Sequence, residues 1–252
     1  MKIPPFHWWR TVFFLIPAIA VYSVVLGTVS IASSFVDRRG HFAHRCARAW
    51  AWLILATTGV DVEVRGVERL TPGKTYIFVS NHQSIYDIPV IFWHLPWQLR
   101  IIAKASLGKF PFWGWHLSRT GHLLVDRTRP DQWGILRRWK GLVSQGLSLI
   151  VFPEGTRSAD GRVGRFKGGS FLLAIQAELP LVPVSVSGSR HVMRKGRMMT
   201  CPGHVRLVVH DPVPTSGLEA TPEGARRLAE RIREAVRADV DEPPAPAAAA
   251  AE

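Results

Sequence analysis

The chain has only two cysteines, Cys46 and Cys201. They lie far apart and make no metal-ligand or redox pattern, so each reads as a small buried residue in a reducing compartment. No zinc motif, P-loop, dinucleotide fingerprint or Gly-x-Ser-x-Gly elbow occurs, which removes the nucleotide-binding and serine-hydrolase readings that rest on those motifs. Acidic residues are few: 19 Asp and Glu against 32 Lys and Arg, a formal net charge of +13. Such a surface seeks anions, whether nucleic acid, anionic lipid or a phosphorylated substrate. The stretch from Thr11 to Val36 carries no charged residue at all.

What is present is unevenly spread. Mean hydropathy is +0.08 although 20% of the residues are charged, so apolar residues must be concentrated somewhere. The length of 252 residues is ample for a real core. Thr11–Val36 is long enough to cross a bilayer, and Pro17 and Gly27 are tolerable in such a helix. Arg10 flanks one end and Arg38 and Arg39 the other, so loop charge does not choose an orientation. The run is long and no small-residue cleavage site ends it, which argues against a secretory signal. A full span and a bent, half-inserted helix both remain open. Of ten Trp, eight fall in the first half (Trp8, Trp9, Trp50, Trp52, Trp93, Trp97, Trp113, Trp115), as an interfacial belt would require. A second helix over 41–60, basic at its start and apolar at its end, is too short to span and fits one lying in the interface.

From Val62 the pattern alternates. Strands are expected at Val62–Gly66, Thr75–Ser80, Leu99–Ala103, His122–Asp126, Leu147–Phe152, Leu181–Ser187 and His204–Val209. Helices are expected at Ser84–His94, Leu107–Arg119 (interrupted at Pro111 and Gly114), Asp131–Gln145, Gly169–Ala177 and Pro222–Ala238. The alternation predicts an α/β fold, a mostly parallel sheet covered by helices and preceded by a membrane-associated two-helix segment. The expected division is an anchor over 1–60, a catalytic domain over 61–240 and a disordered tail over 241–252, rich in Pro and Ala.

Sites in such sheets lie beyond the C-terminal ends of strands. Asn81-His82-Gln83-Ser84-Ile85-Tyr86-Asp87 follows a buried strand there. On one continuous helix His82 and Asp87 would point about 140° apart. With His82 still on the turn and Asp87 in the helix, they can meet. Asp87 then takes the proton on one imidazole nitrogen, and the other is free to accept a proton from a hydroxyl. Three more stretches follow strands: Gly121 to Arg127, Phe152-Pro-Glu-Gly-Thr-Arg157, and the proline-bent Leu179-Pro-Leu-Val-Pro-Val184. Pro153 and Gly155 make a tight turn that presents Glu154 and Arg157, with Thr156 able to bond the loop.

In this order, over roughly residues 60 to 190, these motifs resemble the lysophospholipid acyltransferase family, the glycerolipid acyltransferases typified by lysophosphatidic acid acyltransferase. Phe152-Pro-Glu-Gly-Thr-Arg157 is the most specific of them. Ser106, in Lys104-Ala-Ser-Leu107, stands where the family carries an acid, and Phe112-Trp113 extends the following turn. The resemblance implies transfer of an acyl group from acyl-CoA or acyl carrier protein to the sn-2 hydroxyl of lysophosphatidic acid, giving phosphatidic acid. His82 would be the base, oriented by Asp87. Lys104, Arg127 and Arg157 would hold the acceptor phosphate, for which guanidinium forks are suited. Glu154 would bind the glycerol backbone or order the loop, beside Gly155 and Thr156. No metal and no cofactor beyond the thioester is implied. The partners are the two substrates and a bilayer with anionic lipids, with acyl carrier protein as one candidate donor. The expected place is the inner membrane, with the catalytic domain on its cytoplasmic face. A helix N-terminus after His82 is the candidate source of oxyanion donors, and the N-terminal helices with the Trp-rich stretch 93–115 are the candidate acyl path. The rivals are another lysolipid acceptor, such as lyso-ornithine lipid, and a non-enzymatic basic membrane-binding protein. Nucleic acid is disfavoured because the aromatics sit with the apolar segment and do not interleave with the basic helix around Arg137, Arg138 and Lys140.

Overall fold

The computed structural model describes residues 4–37, 39–109, 113–126 and 132–243. Seven strands form one sheet in the order β1-β7-β6-β2-β5-β3-β4. The strands are β1 (Val60–Arg65), β2 (Ile77–Ser80), β3 (Leu99–Lys104), β4 (Leu123–Val125), β5 (Ser148–Val151), β6 (Leu181–Ser187) and β7 (Gly203–Val209). The five strands from β6 to β4 run parallel. The β6–β7 pair is antiparallel and β1 pairs parallel to β7, so the β1–β7 edge runs the other way. Every residue of β2, β5 and β6 is buried, as expected of central strands covered on both faces.

The pleat sorts the two cores. Phe78, Val182, Val184 and Val186 face one apolar cluster, whereas Ile77, Val79 and Leu181 face the other. Helix α1 (Phe6–Ser33), α2 (His41–Thr58) and α3 (Asp87–His94) lie on the first side. Ala51, Ile54 and Leu55 of α2 share a cluster with Phe78 and Val90, so this helix is part of the core below the sheet. Helices α4 (Trp113–Arg119), α5 (Gln132–Val143), α6 (Gly169–Gln176), α7 (Ser189–Val192) and α8 (Pro222–Ala238) complete the chain. In α8, Thr221 caps Gly224 N–H at 3.0 Å, Pro222 takes the first turn, and Ala225, Leu228, Ala229, Ile232 and Val236 form one buried stripe on the second cluster.

Helix α1 has no such stripe. It is 28 residues long, its most apolar 18-residue stretch has a mean hydropathy of 2.3, and only 6% of that stretch is buried. Phe13, Phe14, Val21, Val24, Val25 and Val29 are exposed. The helix starts at Phe6, ahead of the expected Thr11, and widens to a π turn over Thr11–Leu15. Two polar ties fix its first turns. Arg10 donates to the carbonyls of Thr57 and Thr58 at 3.2 and 2.7 Å, placing a cation at the C-terminus of α2. Thr11 Oγ1 accepts from Thr200 N–H at 2.9 Å.

Other boundaries also depart from expectation. The stretch expected to be helical from Leu107 begins as a short 3-10 turn, Ala105–Lys109, and the α-helix starts at Trp113. Asp241 and Glu242, placed by sequence in the disordered tail, are bonded instead. Asp241 accepts from Ser187 Oγ at 2.8 Å, and Glu242 accepts from Val163 N–H at 2.9 Å. Each carboxylate finds a donor that the sequence did not display as its partner. Residues 244–252 lie outside the described residues.

Candidate active site

β2 ends in a turn that leads to α3. Helix α3 begins at Asp87, three residues later than the apolar spacing suggested. The reason is local: Asp87 Oδ2 accepts from Gln83 N–H at 2.8 Å and from Ser84 N–H at 2.9 Å, closing the turn outside the helix. The same oxygen lies 2.7 Å from His82 Nδ1. An ionised carboxylate only accepts, so this contact assigns the ring proton to Nδ1. Asp87 is fully buried, and the His82 side chain is 16% exposed. His82 Nε2 has no hydrogen-bond partner among the described residues. The ring stacks on Phe152, with centroids 4.3 Å apart and planes at 27°.

The turn is held from three sides. Asn81 exchanges two bonds with Val186 of β6, at 2.8 and 2.9 Å. From the loop after β5, Glu154 Oε1 accepts His82 N–H at 2.9 Å, Ser158 N–H donates to His82 carbonyl at 2.7 Å, and Gly161 carbonyl accepts from Gln83 Nε2 at 2.7 Å. From the segment after β6, Ser189 Oγ donates to Asp87 Oδ1 at 2.5 Å, and Ser84 Oγ donates to Met193 carbonyl at 2.8 Å.

Glu154 is therefore bonded to the backbone of the turn that carries His82. Burial pushes its carboxyl up from the usual range, opposed by hydrogen bonds from the His82 and Gly164 backbones. Gly155 has φ +76°, the left-handed conformation the tight turn requires. Thr156 is exposed and Arg157 half-buried. Lys195 Nζ donates to Thr156 Oγ1 at 3.1 Å and to Arg157 carbonyl at 2.7 Å, which brings a second cation to this loop. The Arg157 guanidinium makes no hydrogen bond or ion pair among the described residues. Lys104 is exposed at the end of β3, on the same sheet edge but two strands from β2, and no described bond links it to His82 or Arg157. Arg127 lies outside the described residues.

The expected oxyanion donors are largely spent. Gln83 and Ser84 N–H serve Asp87, and Tyr86 N–H donates to Ser84 Oγ at 3.3 Å. In that turn only Ile85 N–H remains without a described partner. Among the described residues no group of three or more His, Cys, Asp and Glu is placed to hold a metal ion.

Beside the pair lies an apolar cavity of about 160 Å³. Ile85 borders it on the turn after His82, Ile88 on α3, Leu26 and Gly27 on α1, Trp50 on α2 and Leu117 on α4. Sequence reasoning missed Ser189 and Lys195 as parts of this site, and it named Asn81 and Phe152 within the motifs without giving either a role. Asn81 and Ser189 sit directly beyond strand ends, where the strand-end rule points, but nothing in a lone Asn or Ser distinguishes it from any other.

The family model described as Acyltransferase matches residues 61–187. The chain is 34% identical over 198 residues to a chloroplastic 1-acyl-sn-glycerol-3-phosphate acyltransferase of Brassica napus, covering 77% of this chain and 57% of that protein. It is 36% identical over 177 residues to the human 1-acyl-sn-glycerol-3-phosphate acyltransferase alpha, covering 69% of this chain and 62% of that one. It thus spans less than two thirds of either relative. The crystal structure of the 1-acyl-sn-glycerophosphate acyltransferase of Thermotoga maritima superposes with a TM-score of 0.70 at 30% identity, covering 86% of this chain and 93% of that one.

Proposed function

The chain belongs to the acyltransferase family, and on that premise we propose that it moves a fatty acyl group from a thioester to the sn-2 hydroxyl of lysophosphatidic acid, giving phosphatidic acid. The observation that carries the reading is the His82 Nδ1 to Asp87 Oδ2 contact of 2.7 Å, with Nε2 unpartnered among the described residues. Nε2 takes the proton of the acceptor hydroxyl as the oxygen attacks the thioester carbon. The tetrahedral intermediate collapses, the C–S bond breaks, and the thiolate leaves with the proton returned by the imidazolium. Base catalysis of this kind is worth ~10²–10⁴ in rate. Asp87 holds the ring in the tautomer that leaves Nε2 free. The thioester already carries the activation, so this chemistry calls on no further cofactor, and either acyl-CoA or acyl carrier protein can supply it.

Arg157, with Lys195 fixed beside it, is the cation set for the acceptor phosphate. Lys104, at the end of β3, is a candidate extension of that set, and Arg127 is a candidate by resemblance alone. Glu154, bonded to His82 N–H, orders the loop and so ties the phosphate grip to the base. The cavity beside Ile85 and Ile88 is the path for the fatty chain, in contact with the helix whose apolar surface suits a bilayer with anionic lipids. The unpaired Cys46 and Cys201 fit the cytoplasmic face of an inner membrane.

The test is purified protein with radiolabelled palmitoyl thioester and a panel of lysolipids, beside His82→Ala. Label in phosphatidic acid that disappears with His82→Ala is expected. Transfer only to another acceptor, such as lyso-ornithine lipid, would overturn the substrate, and turnover retained by His82→Ala would overturn the mechanism.

A further inference from the structure

Ser189 lies two residues beyond the matched family region and is fully buried. It opens the four-residue helix α7 directly after Gly188, which ends β6 at φ +88° and whose added β-carbon would stand 2.4 Å from His204 carbonyl. Only glycine tolerates that position, so the backbone delivers Ser189 to one place. A serine at a helix start ordinarily caps a nearby N–H of its own helix. This one does not: α7 has no side-chain cap, and the hydroxyl reaches across 102 positions to Asp87 Oδ1 at 2.5 Å.

The two oxygens of Asp87 are unequally served. Oδ2 accepts from His82 Nδ1, Gln83 N–H and Ser84 N–H, whereas Oδ1 accepts from Ser189 alone among the described residues. A carboxylate held at one oxygen can still turn about its Cβ–Cγ bond. A donor on the second oxygen fixes its plane, and the plane of the carboxylate sets the direction of the His82 ring.

We propose that Ser189 is a positioning residue for the acid–base pair, acting on His82 through Asp87. The inference rests on the reading of His82 as the base. It predicts that loss of the hydroxyl slows turnover without weakening substrate binding. A hydrogen bond to a charged group corresponds to a loss of about 10- to 100-fold.

The experiment uses the full chain in detergent with palmitoyl thioester and lysophosphatidic acid. It compares wild type, His82→Ala, Ser189→Ala, Ser189→Thr, Asp87→Asn and the double variant Asp87→Asn/Ser189→Ala. The expected result is a kcat about 10- to 100-fold lower for Ser189→Ala, KM for the acceptor within about twofold, and activity largely kept by Ser189→Thr. In the Asp87→Asn background, Ser189→Ala should change kcat less than about twofold, because the group it acts through is gone. Equal losses in both backgrounds, a change confined to KM, or a Ser189→Ala protein that no longer folds would each overturn the proposal. Turnover retained by His82→Ala would instead overturn the reading beneath it, so the two failures are distinguishable.

Discussion

Gly27 sits in the middle of α1, where glycine costs about 1 kcal/mol relative to alanine. Its backbone is not left-handed, and a β-carbon added there would meet nothing within 4 Å. No turn or close approach requires it. It borders the apolar cavity of about 160 Å³, so a longer side chain placed there would reach into that space. Gly27→Leu fills that space with a four-carbon side chain. Displacing three to four methylenes of a bound acyl chain, at ~0.8 kcal/mol each, changes the preference between long and short chains by about 60- to 200-fold. The assay is competition between palmitoyl and lauroyl thioesters for one acceptor, scored by product mass. Wild type should favour palmitoyl more than Gly27→Leu does, by about that factor, while Gly27→Ala shifts little. Helix propensity rises in both variants, so unfolding does not confuse the readout. An unchanged ratio in Gly27→Leu would refute the assignment of this cavity to the acyl chain.

Arg157→Ala should raise KM for lysophosphatidic acid about 10- to 100-fold with kcat nearly unchanged, and leave KM for a phosphate-free acceptor alone; equal effects on both acceptors would remove Arg157 from the phosphate grip. Burial first, then the nearby Arg100, hold His44 and His116 neutral with pKa values of about 4, and Arg48 adds to the effect on His44. Both lie below the unfolded value of 6.5, so the unfolded chain gains protons that the folded one refuses. Their stability is complete above pH 6.5 and is lost as pH falls toward 4, by about 3 kcal/mol each. Denaturant titrations across that range should show a shallower loss for His44→Gln than for wild type, and parallel curves would refute it. Val21→Lys with Val25→Lys, on the exposed face of α1, should move the protein from the membrane pellet to the supernatant at ~2.5–3.5 kcal/mol per charge; retention in the pellet would argue against membrane burial of that face.

The sheet was legible because β2, β5 and β6 are short, mostly apolar runs, with serine as their only polar residue, bounded by turn residues, a pattern that local sequence displays directly. The His82–Asp87 meeting was legible for a similar reason: the five-residue interval is incompatible with one helix and forces a turn. The start of α3 was misread because Ser84 and Tyr86 suit a first helical turn. Whether Gln83 and Ser84 N–H point along a helix axis or at a carboxylate is decided by Asp87 in three dimensions. That same capture occupies two of the oxyanion donors expected there and leaves Ile85 N–H without a described partner. Ser189 was invisible for a different reason. Its partner is 102 positions away, and no periodicity joins them. Glu154 stood between two roles, and its bond to His82 N–H supports the loop-ordering one.

The Arg10 and Thr11 ties have a geometric consequence. They rivet the first turns of α1 to Thr57, Thr58 and Thr200, and Thr200 is in turn bonded at 3.4 Å to Tyr86 on the turn after His82. The exposed apolar flank of α1 and the His82 turn are thereby joined through a short chain of side-chain bonds. Were that flank to enter a bilayer, a change in its thickness that tilts α1 would be felt at the His82 imidazole through those few contacts.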